Sequence, residues 1–350
     1  MSDLFPACNV VFPEPETYHG AAFYLAAEEF LAREFPLNNY FFTWRVNPTC
    51  VFGRNQDPRV ELDLDFCEKH GVDIVRRRSG GGAIFADSNN LMLSLVTGTG
   101  CVETLFRDFA QGIADALQSM GVPARVSGRN DVVLEDGRKV CGGAFYRLKE
   151  RSIIHCTMLY DTAWELMSRC LTPRRAKLES KGVVSVESRV GVLKDFLPQG
   201  IEHLQRELLS LLTNRHVQLS ENDILCIQEI EKNYHHKHYI YRNNKNSATP
   251  GIVFSKHLQG CGMIEMKIFC NDDGQVLHIT LSGDYFDSSS TPAQDVFLKA
   301  LQGLKVSPSN RLDQAVIIRQ ALLDSKAYLS IRNLTEEALI EFFSVDNLKT

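Results

Sequence analysis

No apolar run in the chain approaches the ~20 residues that a membrane-spanning helix requires, so a helical integral membrane protein is not expected. The ten cysteines include no Cys-X-X-Cys pair. Scattered thiols in a chain this long suit a reducing cytoplasm better than a disulfide framework, and no spacing along the chain suggests zinc. The opening segment, Met1 to Pro6, has neither the basic nor the apolar region of a secretory signal, and the first arginine is Arg33. A cytoplasmic protein without a transit peptide is the expectation. The chain also lacks a cationic excess: its net charge is −5. A general nucleic-acid or membrane-surface binder is therefore not expected, and any basic site must be local. His235-His236-Lys237-His238 offers metal ligands, but no second ligand cluster joins it, and it reads as the polar edge of a linker.

What is present points elsewhere. Apolar residues make up 44% of 350, enough for a large domain plus a small one. Arg76-Arg77-Arg78 runs directly into Ser79-Gly80-Gly81-Gly82, followed by Ala83-Ile84-Phe85. Consecutive glycines are poor inside regular elements, so they mark tight turns or close backbone approach. Backbone N–H groups beside arginines suit an anion such as a phosphate or carboxylate. Val72 to Arg77 and Leu91 to Val96 both read as strands, so the loop joins strand to strand. That argues against the dinucleotide fingerprint and the P-loop, which both need a helix after the glycines, and neither full motif is present.

Along the chain, Thr17 to Phe35 reads as an amphipathic helix capped by Thr17, with Phe23, Ala27, Phe30 and Leu31 on one stripe. Tyr40 to Trp44 and Thr49 to Phe52 read as strands paired across Asn47-Pro48. Phe106, Phe109, Ala110, Ile113, Leu117 and Met120 mark a helix stopped by Gly121. Asp131 to Leu134, the turn Glu135-Asp136-Gly137 and Arg138 to Val140 form a hairpin, with Gly142-Gly143 just beyond. Ile153 to Leu159 reads as a strand, Thr172 to Ser185 as a polar mobile loop, and Ile201 to Leu211 as a helix. The polar stretch from Tyr241 to Thr249 reads as a linker. A second hairpin, Ile264 to Ile268 and Val276 to Leu281, follows around Asn271 to Gly274. The expected organisation is a large mixed domain over residues 1–246 and a small α+β domain over 247–350.

The ordered set Gly53-Arg54-Asn55-Gln56, Arg76 to Phe85, Asn89-Asn90-Leu91, Ser127 to Asp131, Arg138 to Ala144, His155-Cys156-Thr157, Ser180 to Val186 and Ser188-Arg189-Val190 resembles the lipoate–protein ligases of the A type, within the biotin/lipoate ligase superfamily. The resemblance covers roughly residues 50 to 195, and the C-terminal part matches more loosely. It implies an α+β fold: a large mixed-sheet catalytic domain and a small α+β accessory domain. It also implies a two-step reaction. Lipoate and ATP, with Mg²⁺, give lipoyl-adenylate and pyrophosphate, and a lysine of a carrier domain then takes the lipoyl group. The implied partners are lipoyl-accepting domains such as 2-oxo acid dehydrogenase E2 subunits and the glycine cleavage H protein, with no nucleic acid or membrane.

On the same resemblance, Lys139 is the catalytic cation between the lipoyl carboxyl and the α-phosphate. One such donor is worth about 2.7–4 kcal/mol in a transition state. Taken alone, Lys139 reads equally as an exposed hairpin lysine. Arg77, Ser79, Gly80, Gly81, Gly82, Ala83, Ile84, Phe85, Asn130, Asp131, His155 and Thr157 are the implied ATP and lipoyl-adenylate contacts, with Asp131 a candidate Mg²⁺ ligand. Strand alternation would send Arg77 inward and leave Arg76 and Arg78 toward solvent or the rim. Asn130-Asp131 reads equally as a strand-entry turn, whereas His155 by itself reads as a satisfied core histidine, and its place at the ligand comes from the resemblance. Phe85, Leu91, Leu93 and Phe145 read as slot walls or as ordinary core. Lys181 and Ser185 lie in the loop expected to cover the adenylate.

The chain departs from the family pattern at Ala86, Ile154 and Glu187, and lacks the usual tryptophan motif of the small domain. The rival readings are an ATP-independent octanoyl or lipoyl transferase using Cys141 or Cys156, and a catalytically idle lipoate-binding protein. Biotin ligase is a weaker alternative, because the loop lacks that family's Gly-Arg-Gly-Arg core.

Overall fold

In the computed structural model, which describes residues 4–13, 19–128, 131–172, 190–242, 252–306, 311–344 and 347–349, the chain divides into two compact units. The first comprises Met1–Phe52, Pro58–Arg77 and Ala83–Ile240; the second comprises Gly53–Asp57, Arg78–Gly82 and Tyr241–Thr350. The sequence reading divides the chain once, after residue 246. The structure divides it after Ile240 and groups two short loops from the first third of the chain with the second unit.

The first unit carries β1 (Ala7–Val11), β2 (Tyr40–Trp44), β3 (Thr49–Phe52), β4 (Asp73–Arg76), β5 (Ile84–Ala86), β6 (Asn90–Gly98), β7 (Ala124–Ser127), β8 (Asp131–Leu134), β9 (Lys139–Leu148), β10 (Arg151–Leu159) and β11 (Thr213–Gln218). Among the described residues, eight of these form one mixed sheet in the order β11-β1-β2-β6-β10-β9-β8-β7. The pairings from β2 to β7 are antiparallel, and β1 runs parallel to both neighbours. The other three form a small sheet, β4-β3-β5.

The two sheets correct one expectation. Tyr40–Trp44 and Thr49–Phe52 do not pair across Asn47-Pro48. β2 lies between β1 and β6, and β3 lies between β4 and β5. All of β3 and nearly all of β2 are buried. Strands apolar on both faces belong inside a covered sheet, not in an isolated hairpin.

Both faces of the large sheet are covered. On one, Phe41, Leu91, Leu93, Leu95, Phe145, Ile154, Cys156 and Met158 share a core with the helices Val102–Ser119 and Ile201–Leu212. The predicted stripe of Phe106, Phe109, Ala110, Ile113 and Leu117 is the buried face of the first of these helices. Gly121 ends it at φ +83°, a left-handed turn that glycine takes without strain. On the other face, Tyr40, Phe42, Trp44, Met92, Val96, Tyr146 and Ile153 share a core with the helices Ala21–Glu34 and Glu221–His235.

The helix Ala21–Glu34 is not amphipathic as expected. Every residue from Ala21 to Ala32 is buried, including Glu28 and Glu29. It starts after Gly20 with no side-chain cap, and Thr17, the predicted cap, lies outside the described residues. The helix packs between the sheet and the helix Glu221–His235, so its alanines serve close approach on more than one side.

The second unit carries β12 (Ile252–Leu258), β13 (Gly262–Cys270), β14 (Val276–Gly283) and β15 (Leu348–Lys349), antiparallel in the order β14-β13-β12-β15. The predicted hairpin around Asn271 to Gly274 is β13–β14, with Gly274 at φ +77° and its N–H donating to Asn271 O at 2.9 Å. Phe254, Ile268, Leu281, Phe297, Leu322 and Phe342 are among its core residues. No helix of the described residues is long and apolar enough to cross a membrane.

Phe109 is 1% exposed in the core between the helix Val102–Ser119 and the large sheet. Phe109→Ala should destabilise the first unit by about 3–5 kcal/mol, measured by urea unfolding. Leu225→Ala, at a side chain 64% exposed, should change it by no more than ~0.5 kcal/mol.

Candidate active site

The β8–β9 hairpin positions the candidate cation. Gly137 turns at φ +86°, and the Asp136 carboxylate accepts from the Arg138 N–H at 2.9 Å. Lys139 and Gly142 stand three residues apart, so regular alternation would put them on opposite faces. A bulge opposite Val132 and Val133 alters the register: Asp131 pairs with Gly142, and Val133 pairs with Lys139. The bulge brings Lys139 round to the face of Asp131 and Gly142. Lys139 Nζ lies 2.6 Å from Asp131 Oδ1, and each side chain is 23% exposed. A Cβ on Gly142 would sit 2.1 Å from both Cε and Nζ of Lys139 and 3.5 Å from Asp131 Oδ1. The ammonium therefore occupies the volume that any other side chain at 142 would take. The Gly191 N–H donates to Lys139 O at 2.8 Å and ties the strand start to the returning chain.

The same face carries two more predicted residues. Thr157 on β10 pairs with Gly142 on one side and Met92 on the other; His155 pairs with Ala144 and Ser94. Both are buried. Asp131, Lys139, Thr157 and His155 thus share one face of the large sheet.

His155 is not a histidine left among apolar neighbours. Its Nδ1 lies 2.9 and 3.1 Å from the carboxylate oxygens of Glu28. A carboxylate only accepts, so the proton of that contact sits on Nδ1. Ser94 Oγ donates to Glu28 Oε1 at 2.6 Å, and Trp44 Nε1 donates to Ser94 Oγ at 2.9 Å. Trp44 stacks on Tyr24 with ring centroids 4.8 Å apart. A run of donors therefore ends on a fully buried carboxylate, which needs such partners to remain in the interior. Glu28, Ser94 and Trp44 escaped the sequence reading. The available signal was a pair of glutamates, Glu28-Glu29, inside an otherwise apolar helical run.

Arg77 is 5% exposed just past β4; its N–H donates to Phe52 O at 3.0 Å and its Nη1 to Val51 O at 3.1 Å. Arg76 corrects the expected alternation, because it is buried as well, at 1% exposure. Its guanidinium lies over the Phe52 ring and donates to the carbonyls of Tyr239 and Ile240 at 2.9 and 2.6 Å. Those are carbonyls in the helix Lys237–Tyr241, which a guanidinium satisfies. Arg78 is half-buried.

Ser79 to Gly82 belong to the second unit. A Cβ on Gly80 would lie 2.3 Å from Tyr285 O, and one on Gly53 would lie 2.1 Å from Gly81 O. Gly81 sits at φ +89°, with its N–H directed to Tyr285 O at 3.4 Å. Close packing of backbone on backbone within that unit therefore accounts for glycine at 53 and 80, and the left-handed φ accounts for it at 81. Ala83 precedes β5, and Ile84 and Phe85 lie within it. Phe85 is core beside Cys50 and Phe52, while Leu91, Leu93 and Phe145 are core on the sheet face opposite His155. The core reading holds for all four. Cys141 and Cys156 also lie in that opposite core, and burial pushes the Cys156 thiol well up. Asn130, Lys181 and Ser185 lie outside the described residues.

Comparison with known proteins gives a consistent picture. The lipoyl protein ligase A/B catalytic domain family matches residues 20–209. A probable lipoate-protein ligase A of Mycoplasma pneumoniae is 31% identical over 272 residues, covering 75% of this chain and 79% of its own. The crystal structure of LipL1 of Plasmodium falciparum in complex with lipoate is similar at a TM-score of 0.71 and 18% identity, covering 95% of this chain and 97% of that one. A lipoate-protein ligase A bound with ATP is similar at a TM-score of 0.58 and 21% identity, covering 67% and 98%.

Gly142→Ala should expel the Lys139 ammonium from its position beside Asp131. A crystal structure of the variant checks this: the 2.6 Å contact is expected to be lost with the β8–β9 pairing retained.

Proposed function

The chain belongs to the lipoyl protein ligase A/B catalytic family, and from that premise we propose that it is an ATP-dependent lipoate–protein ligase acting through a lipoyl-adenylate. In the first half-reaction a lipoate carboxylate oxygen attacks the α-phosphorus of ATP. The bond to pyrophosphate breaks, and lipoyl-adenylate forms. In the second, the amine of a carrier-domain lysine attacks the acyl carbon, AMP leaves, and the amine gives up a proton. The carriers proposed are lipoyl domains of the 2-oxo acid dehydrogenase E2 and glycine cleavage H types.

The Lys139 ammonium, seated over Gly142, is the observation that carries this reading. Joining a carboxylate to a phosphate brings two anions together, and a fixed cation offsets their repulsion and the charge that develops in each transition state. Asp131, hydrogen-bonded to it at 2.6 Å, orients it. Thr157 and His155 on the same face are the proposed contacts to the acyl-adenylate, with the His155 ring fixed by Glu28. Buried Arg77 is the proposed second cation. Among the expected ligand-binding residues, the reading rests on these, all in the first unit.

The LipL1 complex with lipoate and the ATP-bound ligase support the choice of substrates. Asp131 fits a Mg²⁺ ligand: it is a partly exposed carboxylate beside the cation, and Mg²⁺ on phosphates commonly takes one or two protein carboxylates. Bound there, Mg²⁺ would neutralise phosphate charge. The cysteine-dependent transferase is disfavoured, because Cys141 and Cys156 are buried on the sheet face opposite His155, where a base would be needed.

The test is pyrophosphate exchange into ATP with lipoate, octanoate and biotin offered separately, followed by the mass of a lipoyl domain. Lipoate-dependent exchange and a lipoyl mass increment on the carrier lysine are expected. No exchange with any acid, with acyl transfer from a preloaded carrier, would replace this reading by the transferase.

A further inference from the structure

Three buried cysteines converge outside the face just described. Cys50 lies on β3, Cys67 in the helix Leu64–Lys69, and Cys170 ends the helix Trp164–Cys170. Their Sγ atoms all lie within 4.8 Å of one another. They are 0%, 1% and 0% exposed. Among the described residues, this is the group of three metal-ligating side chains that comes this close. Their chain spacing, 17 and 103 residues, matches no metal motif, which is why the sequence offered no sign of it.

A buried cysteine is ordinarily just a small apolar residue, but the surrounding backbone holds this trio in place. The Asp63 N–H donates to Cys170 O at 3.0 Å, and the Cys67 N–H donates to Asp63 O at 2.9 Å. Leu62 bridges Leu171, and the Thr172 N–H donates to Glu61 O at 2.9 Å. Two of the three thiols are thus fixed against each other by backbone hydrogen bonds, and Cys50 is fixed by the pairing of β3 with β4 and β5.

We propose that Cys50, Cys67 and Cys170 form a trigonal thiolate site for a soft monovalent ion, Cu(I). Zinc is almost always four-coordinate, whereas this pocket offers three sulfurs. The neighbouring Asp63 carboxylate is engaged in capping Phe66 N at 2.9 Å. Thiolates select soft ions. Metal–sulfur bonds of about 2.3 Å place ligating sulfurs about 4 Å apart in a plane, a separation inside the 4.8 Å that bounds this trio. Three S–H bonds break, three Cu–S bonds form, and three protons pass to solvent, with no change of oxidation state.

Such an ion would clip both short helices to β3, whose Val51 and Phe52 carbonyls accept from Arg77. The site is independent of the ligase chemistry. The full chain, reduced and anaerobic, is titrated with Cu(I) against a chromophoric Cu(I) chelator, and the copper is examined by X-ray absorption. One ion per chain, surrounded by three sulfurs, is expected, with a rise in the thermal midpoint. Cys67→Ser and Cys67→Ala should lose both the ion and the rise; circular dichroism confirms that they fold. Cys261→Ala, at a buried thiol of the second unit, should keep both. No retained copper in the wild type, unchanged retention in both folded Cys67 variants, or coordination by fewer than three sulfurs would overturn the proposal.

Discussion

The close seat of the Lys139 ammonium over Gly142 is the constraint on which the candidate site depends. It has three parts. A bulge brings the lysine to the correct face, a missing side chain makes room for it, and Asp131 holds it at 2.6 Å. Removal of any one should leave a hairpin of ordinary stability with its cation elsewhere. The site is thus built from local backbone irregularity on a rigid sheet, an arrangement that fixes a charged group more closely than a loop would.

The large sheet makes this possible by being covered on both sides. One face is filled by Leu91, Leu93, Phe145 and the helices Val102–Ser119 and Ile201–Leu212. That leaves the other face to hold the polar run Trp44, Ser94, Glu28 and His155 beside its own apolar core. A buried carboxylate is costly unless its partners are in place. Glu28 has Ser94 and His155 as partners, so burial and orientation are one arrangement here. The Glu28 pairing also gives His155 a definite ring orientation, which apolar packing alone would not impose.

Much of this was legible in the sequence, and the failures have physical causes. The β8–β9 hairpin was readable because Glu135-Asp136-Gly137 is strong turn chemistry between two strand-forming runs. The stripe of Phe106, Phe109, Ile113 and Leu117 was readable because one face of that helix is wet. The helix Ala21–Glu34 was legible as a helix, but its expected amphipathic character was misread for the opposite reason: its residues from Ala21 to Ala32 have no wet face. Pairing of β2 with β3 was misread because adjacency in sequence outweighed the need of two almost wholly buried strands for covered neighbours. Arg76 was misplaced because alternation predicts direction, not partners, and the carbonyls it satisfies lie more than 160 residues away in sequence. The glycines at 80 and 81 were read as a tight turn or an approach to a ligand; Gly81 does take a left-handed turn, and what approaches Gly80 is the backbone of its own unit. The trio Cys50, Cys67 and Cys170 was invisible because only the fold brings it together.

The central claim concerns charge at position 139, and the most direct measurement is single-turnover release of pyrophosphate by Lys139→Met with lipoate and ATP, with lipoate binding determined in parallel. The account predicts a release rate lower by roughly 10²–10³-fold, while lipoate affinity changes by no more than a few-fold. Pyrophosphate release at the wild-type rate would contradict it, because the ammonium would then have no part in forming the adenylate.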